Sequence, residues 1–245
     1  MALVQTKSGE GTSVSLTFNS STTSGNLIEV TVSQGDDSNA ILWGVTDNKG
    51  NTYLTNATTL RSTGASGTVL QKFYIYNAVG GASHQVDVTL EGGGEATNPF
   101  AVSIAEYNNI ETASDPLDKT AEGTATSTSP TTGSSGTLSQ ANELVTYAVG
   151  SRLAAVQSDD PTAAGFDRIG TQTTTGDWGA QSWHYKVVAA TTAVSGDGTL
   201  SANQTWVTVL ATYKEPGAAP ATTLPPIPSG GIQQIMAVWE QVGVL

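Results

Sequence analysis

Apolar and polar residues alternate with period two along most of this chain, a pattern that predicts β-strands with one buried face. From Val14 to Phe18 every second residue is apolar, and the residues between them are serine and threonine. The same alternation recurs from Ile28 to Val32, where Glu29 and Thr31 are the polar residues. We therefore expect Glu29 and Thr31 to face water.

Similar segments follow through the rest of the chain, and helical periodicity is absent before the C-terminal residues. The further predicted strands are Ile41 to Thr46, Thr52 to Thr55, Val69 to Asn77, Gln85 to Leu90, Ala101 to Tyr107, Leu144 to Val149, Phe166 to Gly170, Gln181 to Val188, Val194 to Leu200, and Trp206 to Tyr213. We expect the segment Glu111 to Gln140, rich in Thr, Ser, Gly and Ala, to be a long connection.

The two halves of the chain resemble each other in sequence. The echoed segments are Gly25 to Ile28 with Ala141 to Leu144, Gln71 to Tyr76 with Gln181 to Lys186, and Val102 to Tyr107 with Val207 to Tyr213. They lie 116, 110 and about 106 residues apart, which is a nearly constant period. Two comparable sets of strands favour an all-β fold: a two-sheet antiparallel β-sandwich, jelly-roll-like, over residues 1–215.

The C-terminal residues differ from the rest of the chain. Residues 216–231 hold five prolines and a Ser-Gly-Gly sequence, which is typical of a semi-rigid, extended linker. Residues 232–245 have apolar side chains at helical spacing, so we expect a short helical or extended arm with one apolar face. The predicted partner-binding residues of this arm are Ile232, Ile235, Met236, Trp239 and Val242. The alternative is that this tail docks on its own domain.

Composition and charge exclude several classes of function. The formal net charge of -12, from 21 acidic and 9 basic residues, argues against a protein that binds the phosphate backbone of nucleic acid. The absence of cysteine excludes disulfides and thiolate metal sites. We see neither a secretory signal nor a membrane span, and we expect a chain made in the host cytoplasm.

The segment Val45 to Tyr53 predicts two strands joined by a tight turn, in which Asn48 and Gly50 are suited to positive φ. Asp47, Asn48 and Asn51 would also offer oxygen ligands to calcium. A calcium site needs six to eight oxygens, however, so we favour the turn.

Some of these segments resemble a β-sandwich module found in phage virion proteins and in large bacterial surface or carbohydrate-active proteins. The similar segments are Ser24 to Ile28, Thr46 and Asp47 with Gly50 to Tyr53, Ser103 to Tyr107, Ala141 to Leu144, and Trp206 to Lys214. The resemblance covers roughly residues 4–214 and implies the fold. Its motifs are structural, so it brings no catalytic residues or cofactor. A chain that carries one such module and an arm resembles a particle component.

Candidate catalytic groups are few. His84 and His184 are the two possible imidazole bases, and neither lies in a nucleophile motif, so we expect both at exposed or sheet-surface positions. Glu106 is predicted to lie on the same face of its strand as Val102 and Ile104, and a carboxylate on that apolar face must be paired or near the rim of the sheet. Glu29 and Asp87 are expected to point outward. We therefore expect a protein that is not an enzyme and uses no cofactor or metal.

Aromatic residues offer another kind of site, since sugars bind to aromatic platforms flanked by polar groups. Trp178, Trp183 and Tyr185 are the possible glycan-binding residues, with Trp178 the ring expected to be exposed on a loop. The alternative for Trp183 and Tyr185 is a core or cross-strand pair.

The sequence thus favours a phage virion structural protein. The leading hypothesis is a capsid decoration or accessory protein, or a tail-associated variant, that contacts capsid or tail subunits through its arm and forms a homo-oligomer on the particle. The alternative is a module that binds a cell-surface glycan or host receptor.

Overall fold

The chain is all-β in its computed structural model, which describes residues 1–35, 42–55, 60–61, 67–92, 97–152, 165–176 and 178–217. Within these ranges the regular elements are antiparallel strands, with no helix. In chain order they are β1 (Ala2–Gly11), β2 (Ser13–Thr17), β3 (Leu27–Gly35), β4 (Leu42–Asp47), β5 (Leu54–Thr55), β6 (Leu60–Arg61), β7 (Thr68–Ile75), β8 (Gln85–Gly92), β9 (Phe100–Asn108), β10 (Leu117–Ser127), β11 (Glu143–Ser151), β12 (Asp167–Thr173), β13 (Ala180–Val188) and β14 (Gln204–Lys214).

The strands form three antiparallel sheets. The first sheet has the order β1-β9-β3-β7-β5, and β6 also pairs with β7. The second sheet has the order β10-β14-β11-β13-β12, and a three-stranded outer sheet has the order β2-β8-β4. The predicted all-β sandwich with antiparallel sheets is therefore confirmed, and the structure adds that the first sheet is covered on both faces.

Alternating side chains explain the layers, because successive residues of a strand point to opposite faces. Val30, Val32 and Ile104 of the first sheet pack against Leu16 and Val88 of the outer sheet. The neighbouring residues face the second sheet instead. There the core contains Leu27, Tyr74, Tyr107, Leu144 and Tyr213, among others. We call this layer between the first and second sheets the central interface.

The outer face of the second sheet is covered by loop segments rather than by a further sheet. Segments 128–138 and 191–200 run across it and are joined by an isolated bridge between Thr131 and Asp197. Leu138, Val194 and Leu200 from these segments pack on Tyr147 and Leu210. Val194 to Leu200 was expected to be a strand, and the structure shows a covering loop with that single bridge instead.

Besides the two-residue β6, two longer strands occur where none was expected. β1 precedes the first predicted strand, and β10 lies within the segment that was expected to be a long connection. Both pair with one neighbour, β9 or β14, and carry mostly small or polar residues. A strand at a sheet edge needs no fully apolar face, so its period-two signal is weak.

The expectation that Glu29 and Thr31 face water is wrong. Glu29 is 5% exposed and Thr31 is 2% exposed, because the second sheet covers the face of β3 that carries them. Period two correctly separates the two faces of β3. It does not reveal that both faces are buried.

The second sheet repeats the strand order of the first, so the sequence echo between the halves corresponds to a structural repeat. Leu27 pairs with Tyr107 in the first sheet, and Leu144 pairs with Tyr213 in the second. Leu27 is thus equivalent to Leu144, one residue away from the match that the sequence alone favoured. A pseudo-two-fold axis at the central interface therefore relates the two halves.

Candidate functional site

The predicted partner-binding arm lies outside the described residues. This holds for Ile232, Ile235, Met236, Trp239 and Val242, and for the linker beyond Gly217. The last described residues follow β14, where the backbone N–H of Gly217 donates to a carboxylate oxygen of Glu111 at 3.4 Å. Glu111 N–H in turn donates to the carbonyl of Lys214. Residues 215–217 therefore lie at the end of the sandwich where β9 also ends.

Trp183 and Tyr185 lie in the interior between the halves. Trp183 is 6% exposed, belongs to the same core cluster as Leu70 and Val209, and its indole N–H donates to Thr6 Oγ1 at 3.3 Å. Tyr185 is partly buried, with its ring centroid 5.9 Å from that of Tyr107. The core alternative therefore describes Trp183, whose ring faces are covered by protein rather than free to stack on a sugar.

Trp178 is half-buried at the end of the sandwich where β3 and β11 end. Its carbonyl accepts a hydrogen bond from Gly35 N–H, and the guanidinium carbon of Arg152 lies 5.4 Å from its ring centroid. That distance is typical of a cation–π contact. One side of the ring is therefore held by Arg152.

Polar groups adjoin this indole. Thr175 Oγ1 donates to a carboxylate oxygen of Glu10 at 2.6 Å, and the next residue, Gly176, lies against the Trp178 ring. We call Glu10, Arg152, Thr175 and Trp178 the Trp178 cluster. It combines a partly exposed ring with a carboxylate, a hydroxyl and a guanidinium, the groups that recognise sugar hydroxyls. The sequence pointed to Trp178 alone, since Glu10 and Arg152 are far from it along the chain.

A buried ion pair of the first sheet lies in the central interface. Lys72 Nζ lies 2.8 Å from Glu29 Oε1, with side-chain exposures of 1% and 5%. Thr146 and Tyr213 from the second sheet donate their hydroxyls to the same oxygen at 2.7 and 2.9 Å. Burial lowers the pKa of Lys72, and the attraction of Glu29 opposes that effect. The hydroxyls of Thr146 and Tyr213 thus link the second sheet to this pair, which has no exposed face at which it would meet a substrate.

A second polar cluster centres on His84, which is fully buried. Its Nε2 lies 2.9 Å from Asp47 Oδ2, and its Nδ1 lies 2.8 Å from Thr22 Oγ1. The Thr22 hydroxyl, the His84 imidazole and the Asp47 carboxylate thus form a hydrogen-bonded chain, as in a nucleophilic triad. Thr22 is buried, however, and its hydroxyl accepts from Gly81 N–H at 3.1 Å. The arrangement fastens three loops together, and the expected exposed position of His84 is wrong.

Asp47 is the anchor of this cluster and of the predicted turn. It accepts hydrogen bonds from the N–H groups of Lys49 and Asn51, from the Asn51 side chain and from the Tyr53 hydroxyl. Burial by itself raises the pKa of Asp47, but the hydrogen bonds from Asn51, His84 and the backbone lower it overall. The turn is the interpretation that the structure supports, with Gly50 at φ 77°.

The remaining candidate groups are also satisfied within the fold. Glu106 is fully buried and accepts from Gln5, from Thr23 N–H and from Asn26 at 2.6 to 2.8 Å, as a carboxylate on an apolar face requires. His184 is buried under the loop segments and stacks on Tyr147 with ring centroids 5.3 Å apart. The expected surface position of His184 is therefore wrong, because those segments cover its face.

Within the described ranges, no group of three or more His, Cys, Asp or Glu residues is arranged to hold a metal ion. Nor do these ranges contain a helix long and apolar enough to cross a membrane. Comparison with known proteins gave no match to a protein-family model, to a curated protein or to a solved structure.

Proposed function

We propose that this protein is a structural component of a phage particle, a decoration or accessory protein that attaches to capsid or tail subunits through residues 232–245. The single observation that carries the proposal is the contrast between a sandwich with covered sheets and a C-terminal segment whose sequence places apolar residues at helical spacing. The first sheet is covered by the outer and second sheets, and the second sheet by the loop segments. The described residues of the sandwich therefore cover both faces of the first and second sheets.

The surface of the described residues adds to this contrast. Its large exposed apolar side chains are Val4, Leu42, Leu54, Val79 and Val187, which lie on five different elements or loops. Singly exposed apolar residues of this kind are normal on a folded domain. The sequence of residues 232–245 predicts a more continuous apolar stripe, so we infer a partner surface for it.

Burial of the arm's apolar side chains would be the main favourable contribution to such an attachment. Burial of Ile232, Ile235, Met236 and Trp239 would contribute about 1.5 to 3 kcal/mol each, before the cost of ordering the segment. Repeated attachment on a symmetric particle would strengthen the binding through avidity. The acidic surface, with a net charge of -12, favours contact with protein over the phosphates of packaged nucleic acid.

The test is incorporation into purified particles by chains that keep the sandwich intact. We expect a chain that stops after Gly217, and a full-length Ile235→Asp/Trp239→Asp variant, to fold but to be lost from sedimented particles. Val79→Asp, at an exposed site on the sandwich, is the matched control and is expected to incorporate normally. Normal incorporation of both arm variants would refute attachment through the arm.

Glycan or receptor binding is a second candidate, favoured by the Trp178 cluster. The half-buried indole, held by Arg152 next to Glu10 and Thr175, offers one partly exposed face with polar groups beside it. A glycan array probed with the native chain, Trp178→Ala and Val79→Ala tests this role. Binding that Trp178→Ala abolishes and Val79→Ala retains would support it, and an array without binding by the native chain would reject it.

A further inference from the structure

The contacts across the central interface occur in pairs that are exchanged between the halves. In the first sheet Tyr74 lies opposite Glu29, and in the second sheet Tyr185 lies opposite Thr146. The ring of Tyr74 packs on Tyr213 of the second sheet at 5.5 Å, with an interplanar angle of 56°.

The exchanged contact has nearly the same geometry. The ring of Tyr185 packs on Tyr107 of the first sheet at 5.9 Å, with an interplanar angle of 54°. Tyr107 and Tyr213 are themselves equivalent, since each pairs with the equivalent leucine of its own sheet. One contact is therefore made twice, as at the isologous interface of a two-fold dimer.

We propose that this chain is a fused dimer of one sandwich unit, in which the inner face of each half is an interaction surface whose partner is the other half. The connector between them runs from Asn109 to Pro116, and Thr112 to Asp115 are exposed. The central interface holds apolar and aromatic side chains from both sheets, which is the composition of a permanent interface.

Differences at equivalent positions make the pairing specific. Glu29 is equivalent to Thr146, and Lys72, opposite Thr31, is equivalent to Trp183, opposite Ala148. Two first halves paired with each other would place two carboxylates and two ammonium groups around the same axis. The native pairing places one carboxylate and one ammonium there, with the Thr146 and Tyr213 hydroxyls bonded to Glu29. The ion pair thus favours first half with second half.

Cleavage of the full chain tests the interface. A protease site inserted between Ala113 and Ser114 lies in the exposed part of the connector. After cleavage we expect both fragments to elute together at the volume of the uncut chain, to separate in urea, and to form a one-to-one complex again after dilution. Fragments that separate in native buffer, or that re-form mainly as homodimers, would overturn the proposal.

A carboxylate exchange tests the equivalence itself in the full chain. Glu29→Thr leaves Lys72 without its counterion, and Thr146→Glu gives Lys72 two carboxylates, so each single variant is expected to lower the Tm. Lys72 Nζ is 2.7 Å from Thr146 Oγ1, so in the double variant the carboxylate at position 146 lies within reach of Lys72. We expect the double variant to recover at least half of the Tm lost by Glu29→Thr.

The matched control combines Glu29→Thr with Ala148→Glu, which places the carboxylate at a buried inward position that is not equivalent to Glu29. We expect no recovery in this control. A double variant at 29 and 146 that is no more stable than the control would contradict the proposed equivalence.

Discussion

The Thr146 hydroxyl donates a hydrogen bond of 2.7 Å to Glu29 Oε1, and these two residues occupy equivalent places in the two sheets. The pseudo-two-fold axis that relates the two halves therefore passes close to the buried carboxylate of Glu29. Lys72 Nζ is within 2.8 Å of the same oxygen, so the carboxylate has its counterion in the dry layer between the halves. Stability of the whole sandwich is therefore sensitive to this pair.

Loss of Lys72 alone is expected to be severely destabilising. Lys72→Met leaves the Glu29 carboxylate buried without a cation, so we expect the free energy of unfolding to fall by about 3 to 5 kcal/mol. Lys72→Met/Glu29→Met removes both charges and should cost less than the single change. Urea unfolding of both variants measures the difference.

Lys119→Met is the control for that experiment, because Lys119 pairs with Asp118 at 3.3 Å while remaining 34% exposed. A partly exposed pair of this kind is worth about 0 to 1 kcal/mol. Equal losses for Lys72→Met and Lys119→Met would show that the buried pair contributes no more than a surface pair.

Two tryptophans are expected to respond differently to truncation. Trp183→Ala removes a ring from the central interface and should lower the free energy of unfolding by about 3 to 5 kcal/mol. Trp178→Ala removes a half-buried ring at the end of the sandwich and should cost clearly less. Thermal and urea unfolding compare them, and a larger loss for Trp178→Ala would contradict the assigned positions.

Asp47 is expected to contribute to acid denaturation. Its folded-state pKa lies below the ordinary value of 3.8, so its stabilising effect is complete above that pH and is lost as pH falls through the folded value. Asp47→Asn should therefore be less stable than the native chain at pH 7, and the difference should shrink below pH 3.8. Urea unfolding as a function of pH measures it, and a gap that widens in acid would refute the assignment.

Gly196 packs against the ring of Tyr147 in the layer beneath the loop segments. A Cβ atom at this position would lie 2.3 Å from Tyr147 Cδ2, and Tyr147 is fully buried. We expect Gly196→Ala to cost about 1 to 3 kcal/mol through overpacking. Gly92→Ala is the control, since its Cβ would be an ordinary 3.8 Å from Leu42. Similar Tm values for both variants would show that the loop segment moves away freely.

Period-two alternation was enough to predict most of the central strands and the all-β class. It also revealed the repeat, although two of the three echoed segments were matched one residue away from the structural equivalence. Such a slip exchanges the faces of a strand. For this reason the sequence comparison could not show that Tyr74 is equivalent to Tyr185, and the structural register was needed.

In the candidate sites, too, the sequence indicated single residues and only the tertiary structure brought their neighbours together. Trp178 stood out in the sequence because it lies in a glycine-containing loop segment, but its neighbours Glu10, in β1, and Arg152, which follows β11, are distant along the chain. The His84 cluster unites Thr22, Asp47 and His84 through loop packing alone. No local spacing marks such groups, since they become neighbours only when the sheets stack.

The sequence by itself determined that this chain forms strands with distinct faces in two related halves, because side-chain alternation is a local property of extended backbone. Tertiary structure alone decided which faces are buried. Glu29 and Trp183 lie in the interior because one half covers the other, and the packing of two sheets depends on contacts that no single strand encodes.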